Sequence, residues 1–372
     1  MSIDQNGDQK VQGVSLRALP KVSLHDHLDG ALRPATILEL ASTAGIDAPA
    51  KDAEGLRRWF ARQCGTGSLP EYLATFDLII AVTQTEAALT RIAREYVADL
   101  VADGVIYGEV RWSPEQHTAG GLSPDRAVAA VQRGIEEGED DAEEAGRTIR
   151  VSQILSAMRQ SDRSLEIARL AVANRERGVV GFDIAGPEDG FPASAHREAF
   201  DYLASEFLPV TVHAGEAAGP ASIRSALLDG RALRLGHGVR IAEDLQIIER
   251  EGDEVQVQFG DLARWVRDRE IPLELAPSSN LQTGAIAQWG EEMADHPFDL
   301  LHQLGFAVTV NADNRTMSAT SLTRELALLV DAFDYDLEDL ETFQFNAASA
   351  AFLPVEEREE LIEMIAEGFE TK

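Results

Sequence analysis

One cysteine and four lysines stand among 372 residues. The lone thiol, Cys64, excludes an intramolecular disulfide and fits a reducing compartment. The lysines are Lys10, Lys21, Lys51 and Lys372, so the rest of the 33 basic residues are arginine. No apolar run approaches the roughly 20 residues that span a bilayer. Residues 1–13 are polar and lack the basic-then-apolar run of a secretory signal. A soluble, cytoplasmic chain is expected. Positive charge is outnumbered, 33 basic against 64 acidic residues, for a formal charge of −31. That balance argues against a sequence-independent grip on nucleic acid and against an anionic membrane surface. What is present is an ordinary globular composition, 44% hydrophobic and 26% charged.

Short apolar runs recur along the chain between longer amphipathic stretches. Eight read as strands: Val22 to His25, Val105 to Arg111, Ile149 to Leu155, Val179 to Ile184, Val210 to His213, Leu233 to Gly236, Ile271 to Leu275 and Ala307 to Asn311. Most are near-continuous Val/Ile/Leu runs, as in strands buried on both faces. Helical patterns lie between them, at Glu86 to Ala102, Pro124 to Glu137, Arg163 to Asn174, Ala193 to Leu203 and Ala221 to Leu228. This alternation implies parallel strands joined by crossover helices. Eight units point to a closed (β/α)8 barrel of the TIM type, an α/β fold, although a strand count alone leaves a doubly wound sheet open. No repeat, low-complexity linker or internal boundary appears, so residues 1–372 are expected to form one domain with its core at about 19–353.

About 80 residues separate the first two strands, far more than a βα loop needs. Pro34 to Ala44 and Leu69 to Ile79 look helical within that gap. The second is rich in apolar side chains, among them Tyr72, Leu73, Phe76, Leu78 and Ile79. Burial against the barrel is the commoner role for such a helix. The sharper role, taken into the expected fold, is a helical cap over the barrel mouth that gives a ligand an apolar wall. Seven acidic residues in the nine from Glu136 to Glu144 read as a solvated helix face, Asp253 to Phe259 as an extra strand, and Glu356 to Ile365 as a final helix.

Active sites of such barrels sit at the C-terminal ends of the strands. The first strand ends in Leu24-His25-Asp26-His27-Leu28-Asp29-Gly30, where His25 and His27, two residues apart, face the same way. The fifth ends in His213-Ala214-Gly215-Glu216, the sixth in Gly236-His237-Gly238 and the eighth in Asn311-Ala312-Asp313-Asn314. Four of the eight histidines in the chain thus fall at strand ends, beside Asp and Glu. A single buried His is usually a satisfied core residue; four gathered in this way suit Zn²⁺ or another borderline divalent ion. His117, His196, His296 and His302 are read as structural. Three imidazoles and one carboxylate could hold one ion and leave a position for water, with Glu216 and His237 free for proton transfer. A two-metal site bridged by a modified lysine is excluded, because no lysine lies between Lys51 and Lys372.

Together with Tyr107-Gly108-Glu109-Val110-Arg111, Phe182-Asp183-Ile184-Ala185-Gly186 and Pro277-Ser278-Ser279-Asn280, these motifs resemble, in order, those of the adenosine deaminase family of metal-dependent amidohydrolases. The resemblance runs from about Leu19 to about Leu353. It implies hydrolytic deamination of adenosine and 2′-deoxyadenosine by attack of metal-bound hydroxide on purine C6. One Zn²⁺ per chain would be held by His25, His27, His213 and Asp313. Glu216 would protonate purine N1, and His237 would orient the water and accept or stabilise its proton, with Asp313 sharing that water. His27, Asp29, Gly186 and Asn314 would meet the substrate, Gly186 through its backbone N–H at N3, Asp29 at the ribose 5′-hydroxyl. The family often carries a second Asp where Asn314 stands; an Asn amide can donate to N7, as a carboxyl does only when protonated. A small-molecule purine nucleoside is thus the expected partner. Adenine or a modified-ribose nucleoside is the alternative substrate. A silent nucleoside-binding protein is disfavoured because no member of the set is missing, and a phosphotriesterase-like enzyme because the lysine is.

Overall fold

The computed structural model describes residues 2–3, 9–251 and 254–370. All eight expected strands are present, as β1 (Lys21–His27), β2 (Val105–Trp112), β3 (Arg150–Met158), β4 (Val179–Ala185), β5 (Thr211–Ala214), β6 (Arg234–His237), β7 (Leu273–Leu275) and β8 (Val308–Val310). Every neighbouring pair is parallel, in two runs, β1-β2-β3-β4 and β5-β6-β7-β8. Single parallel bridges join the runs at both seams, Phe182 with Val210 and Asp26 with Asp313. The first seam carries Phe182 N–H to Pro209 O at 3.1 Å. The second carries His27 N–H to Asp313 O at 2.7 Å and Asp313 N–H to His25 O at 2.9 Å. The sheet is therefore a (β/α)8 barrel, with thin seams because β5 to β8 are only three or four residues long.

Strand alternation sorts the side chains of β1. Val22 and Leu24 face outward onto Ala347, Ala348, Leu361 and Ile365 of two C-terminal helices, while Ser23, His25 and His27 are left for the other face. Those helices, Leu337–Ala350 and Val355–Glu370, contain the expected final helix. The acidic run extends the helix after β2 to Pro124–Glu144, with Gly138 and Ala142 buried and its other residues turned outward or partly so. The expected strand at 253–259 is one arm of an antiparallel hairpin, Leu245–Glu251 with Glu254–Phe259; Asp253 lies outside the described residues.

The insertion between β1 and β2 holds α1 (Pro34–Ala44), α2 (Ala53–Cys64), α3 (Leu69–Leu73), α4 (Phe76–Val82) and α5 (Glu86–Ala102). The helix expected over 69–79 is broken in two. Thr75 Oγ1 donates to Tyr72 O at 2.7 Å, a local side-chain bond that competes with the helical ladder. The break lets α3 and α4 turn across the barrel mouth, where Leu69, Tyr72, Leu73, Phe76 and Ile80 wall a cavity. Tyr72 Oη lies 3.2 Å from Ser318 Oγ, which fastens the cap to the chain beyond β8. Among the described residues no helix is long and apolar enough to cross a membrane.

Candidate metal and active centre

The strand ends bring the predicted residues to one place. His25 and His27 arrive from β1, His213 from β5, His237 from β6 and Asp313 from just beyond β8. Asp313 Oδ1 is 3.4 Å from both His25 Nε2 and His27 Nε2, and His27 Nε2 is 3.2 Å from His213 Nε2. Donor atoms of His25, His213, His237 and Asp313 all lie within 4.8 Å of one another. Five residues therefore surround the point where an ion could sit.

Two carboxylates decide how the rings face it. Glu274 Oε2 lies 2.9 Å from His25 Nδ1, and Asp183 Oδ2 lies 2.7 Å from His213 Nδ1. At His25 the carboxylate behind Nδ1 places the proton there and turns the Nε2 lone pair toward the centre; at His213 burial acts downward but the Asp183 charge outweighs it and raises the pKa. His25 Nε2 is buried with no hydrogen-bond partner, an orphan that a divalent cation would satisfy. Burial, and then the Arg111 charge, lower His25 to a pKa of about 4; burial also holds His27 well below the ordinary value. Both rings are thus neutral, as ligands must be. Asp313 is held well below the ordinary carboxylate range even though burial opposes this.

His237 is held differently. Phe298 N–H donates to His296 Nδ1 at 3.0 Å, so the proton of a neutral His296 is on Nε2, 3.2 Å from Asn280 Oδ1. Asn280 then turns its amide N–H₂ to His237 Nδ1 at 3.0 Å. A fixed backbone donor thereby sets His237 as the Nε2–H tautomer, with Nε2 3.6 Å from Glu216 Oε2. Facing the centre with a proton rather than a lone pair, His237 is a poorer ligand than His27. His237 (φ 62°) and Asp313 (φ 59°) both sit in the left-handed region, unusual for residues with side chains and frequent where backbone strain serves a site.

Beneath the imidazoles the barrel interior is ionic rather than aliphatic. Glu274 accepts from Arg111 Nη2 at 2.7 Å, Arg234 Nε at 2.6 Å and Thr211 Oγ1 at 3.0 Å, besides facing His25. Arg234 also pairs with Glu109 at 2.5 Å, and Arg111 with Asp183 at 3.3 Å. The sequence reading assigned none of these a role. The signal was a charge set inside runs expected to be buried on both faces, as in Leu273-Glu274-Leu275.

Above the centre the cavity has a volume of about 320 Å³, and every predicted site residue lines it except His25, which lies fully buried below. Gly186 stands at φ +102°, and a Cβ there would come within 2.6 Å of Gln160 Oε1. Gly30 makes room for Asn314 in the same way, since a Cβ would meet Asn314 Oδ1 at 2.0 Å. Asp29 is buried, with Oδ1 unpartnered, and burial pushes its carboxyl up to about 7. Ser279 Oγ donates to Asp313 Oδ2 at 2.6 Å. The other histidines stay outside the cavity: His117 bonds Thr83, His196 the Arg159 carbonyl and His302 Asp339, while His296 touches the site only through Asn280.

Adenosine deaminase 1 of Streptomyces coelicolor is 51% identical over 356 residues, 95% of this chain and 88% of that one. The adenosine deaminase of Mycobacteroides abscessus is 48% identical, over 94% of this chain and 95% of its own. Similar solved structures are more varied. An adenine deaminase from Arthrobacter aurescens superposes with a TM-score of 0.80 at 25% identity, covering 94% of this chain and 98% of its own. An arabidopsis N6-mAMP deaminase superposes with a TM-score of 0.79 at 28% identity, covering 95% and 99%. A sequence model of the adenosine deaminase family matches residues 20–368, and the chain belongs to that family.

Proposed function

We propose that this chain hydrolyses adenosine, and 2′-deoxyadenosine, to the 6-oxo purine nucleoside and ammonia. One zinc ion would be held by His25, His27, His213 and Asp313. The observation that carries this reading is the pairing of a buried carboxyl, Glu216, with a cluster of imidazoles and one carboxylate at the floor of a single cavity. Three nitrogens and an oxygen suit a borderline divalent ion, and zinc is the usual choice for that set. When bound, the ion supplies a water acidified toward neutral pH.

The residues of the chain do the rest. Gly186 brings its backbone to N3, Asn314 donates its amide to N7, and Asp29 takes the ribose 5′-hydroxyl. Burial pushes Glu216 upward against the pull of His237, which favours the protonated carboxyl that donates to N1, and protonation there makes C6 electrophilic. His237, with its proton on Nε2, holds the attacking oxygen by donating to it. Asp313 then takes the water's proton and passes it to the departing amine. As the C6 hydroxyl becomes a carbonyl it releases the proton that returns to Glu216, which leaves inosine and ammonia.

Among the described residues no Lys or Arg lines the cavity, whereas Asp29 and Asp77 do. That supports an uncharged nucleoside over a nucleotide. Adenine is the second reading, and the likeness to an adenine deaminase favours it. We place the activity in a single domain and in the cytoplasm, where the lone thiol stays reduced.

The test is ammonia release from adenosine, 2′-deoxyadenosine, adenine, AMP and cytidine, by protein as purified, chelated, and chelated then given Zn²⁺. Zinc-restored turnover of both nucleosides well above adenine and AMP is expected. Turnover of adenine alone moves the substrate to the second reading, and silence across the panel with metal bound removes the reaction. Asn314→Asp is expected to stay active and to acquire a pH dependence, because a carboxyl donates to N7 only while protonated. Its kcat/KM should be retained at low pH and fall as pH rises through the new carboxyl's pKa. A kcat/KM profile from pH 5 to 9 matching the unmodified protein would remove the N7 contact.

A further inference from the structure

Glu188 lies two residues beyond Gly186 and is 4% exposed. Its carboxylate accepts four consecutive backbone N–H groups of the loop after β5. Gly215 donates to Oε1 at 2.7 Å; Glu216, Ala217 and Ala218 donate to Oε2 at 3.0, 2.6 and 3.0 Å. Successive N–H groups converging on one anion form a nest, and bonds to a charged acceptor are the strong ones. The carbonyl side of the same loop is held from the turn after β6: Arg240 N–H reaches Gly215 O at 3.0 Å, and Arg240 Nη1 reaches Ala217 O at 2.8 Å. Gly215, at φ +80°, packs so closely that a Cβ would meet Ile223 Cδ1 at 2.6 Å. The backbone of residue 216 is thus clamped from both sides, and only its side chain is free to face the cavity.

We propose that Glu188 is a positioning residue for the proton donor Glu216, fixing the distance between the backbone that meets purine N3 and the carboxyl that meets N1. The proposal rests on the reading of Glu216 as the acid. Pro187, with its restricted φ, is the sole link between Gly186 and Glu188, so the clamp ties two substrate contacts from different strands into one rigid unit. The negative charge of Glu188 also acts to raise Glu216, less strongly than burial and the Asp313 charge, which act in the same direction. His213 is set independently by β5 and Asp183, so the metal centre does not depend on this clamp.

Glu188→Gln keeps the volume but places an amide N–H₂ against at least one backbone donor. For adenosine, kcat is expected to fall about 10- to 100-fold with KM within about threefold, since small misplacements of a reacting group cost that much. Affinity for 1-deazaadenosine, which has a C–H where adenosine has N1, should stay within about threefold, as should bound metal. Glu188→Asp, which keeps the charge one methylene short, should recover part of the lost kcat, and it carries the test should the Gln variant fail to fold. Unchanged kcat in Glu188→Gln overturns the proposal. So does a loss of kcat matched by equal losses of 1-deazaadenosine affinity and of metal, which would make the residue architectural. Glu216→Gln, measured alongside, separates the two readings. If it turns over normally the acid assignment fails, whereas an inactive Glu216→Gln beside a normal Glu188→Gln sinks the clamp alone.

Discussion

Replacing Glu216 by glutamine is expected to leave a folded, metal-competent protein that turns over adenosine about 10²- to 10⁴-fold more slowly, the range of a lost general acid. The amide fills the same buried space and keeps a partner for His237, whose Nε2 lies 3.6 Å from the carboxylate. It has no acidic proton for N1. Fold and metal survive because the backbone at residue 216 is held by bonds its own side chain does not make. The pH profile sharpens the test. A general acid works while protonated, so the rate it supplies is present below its pKa and lost as pH rises through it. Burial raises that pKa, which extends the active window toward neutral pH. The alkaline limb of kcat/KM that belongs to Glu216 should therefore vanish in the Gln variant. Turnover within threefold of the unmodified protein, with metal content equal, would sink the assignment.

The second large effect is expected in stability. Glu274 is fully buried and neutralises two buried guanidiniums, Arg111 and Arg234, while backing His25. Glu274→Gln leaves those cations with only Glu109 and Asp183. Removing one partner of such a set costs about 3–5 kcal/mol, because the buried charges left behind are out of water and only partly compensated. With an unfolding entropy of about 2.1 cal/mol/K per residue, that lowers Tm by roughly 5 °C in a chain of this length. The same change takes the acceptor from His25 Nδ1, so metal affinity should fall about 10- to 100-fold as well. Thermal unfolding with and without metal, together with a metal titration, reads both. A Tm within about 1 °C of the unmodified protein would mean that the arginines find compensation elsewhere.

The contrast between these residues explains what a sequence shows of such a molecule. Strand ends were readable because burial on both faces leaves apolar runs, and histidines breaking the ends of those runs stand out; His25, His27, His213, His237 and Asp313 fell together as that logic required. Glu274 and Arg111 had the same kind of signal, a charge within an apolar strand, but their meaning depends on which strands face one another across the barrel. Glu188 had none: in a loop, one glutamate looks like any other until four N–H groups are seen to point at it. The break in the cap helix was hidden for a related reason. Thr75 is tolerated in a helix, and only its bond to Tyr72 O shows which way the competition went. The tautomer of His237 lay further out of reach, since it is set by the backbone at Phe298.

One more consequence follows from the seam between the first and last strands. His25 and His27 lie at one edge and Asp313 at the other, joined by backbone bonds across a gap of nearly the whole barrel sequence; His25 N–H and Asn311 Oδ1, in the same seam, are 286 residues apart. A nascent chain emerging from the ribosome thus holds its first two imidazoles long before their carboxylate exists, and cannot assemble the centre until β8 is made. An ion bound there would act as a clasp between the two ends of the fold, much as a crosslink would. Stripping it should loosen the barrel first at this seam, where the amides of His27 and Asp313 would lose their protection from hydrogen exchange ahead of those in β2 and β3.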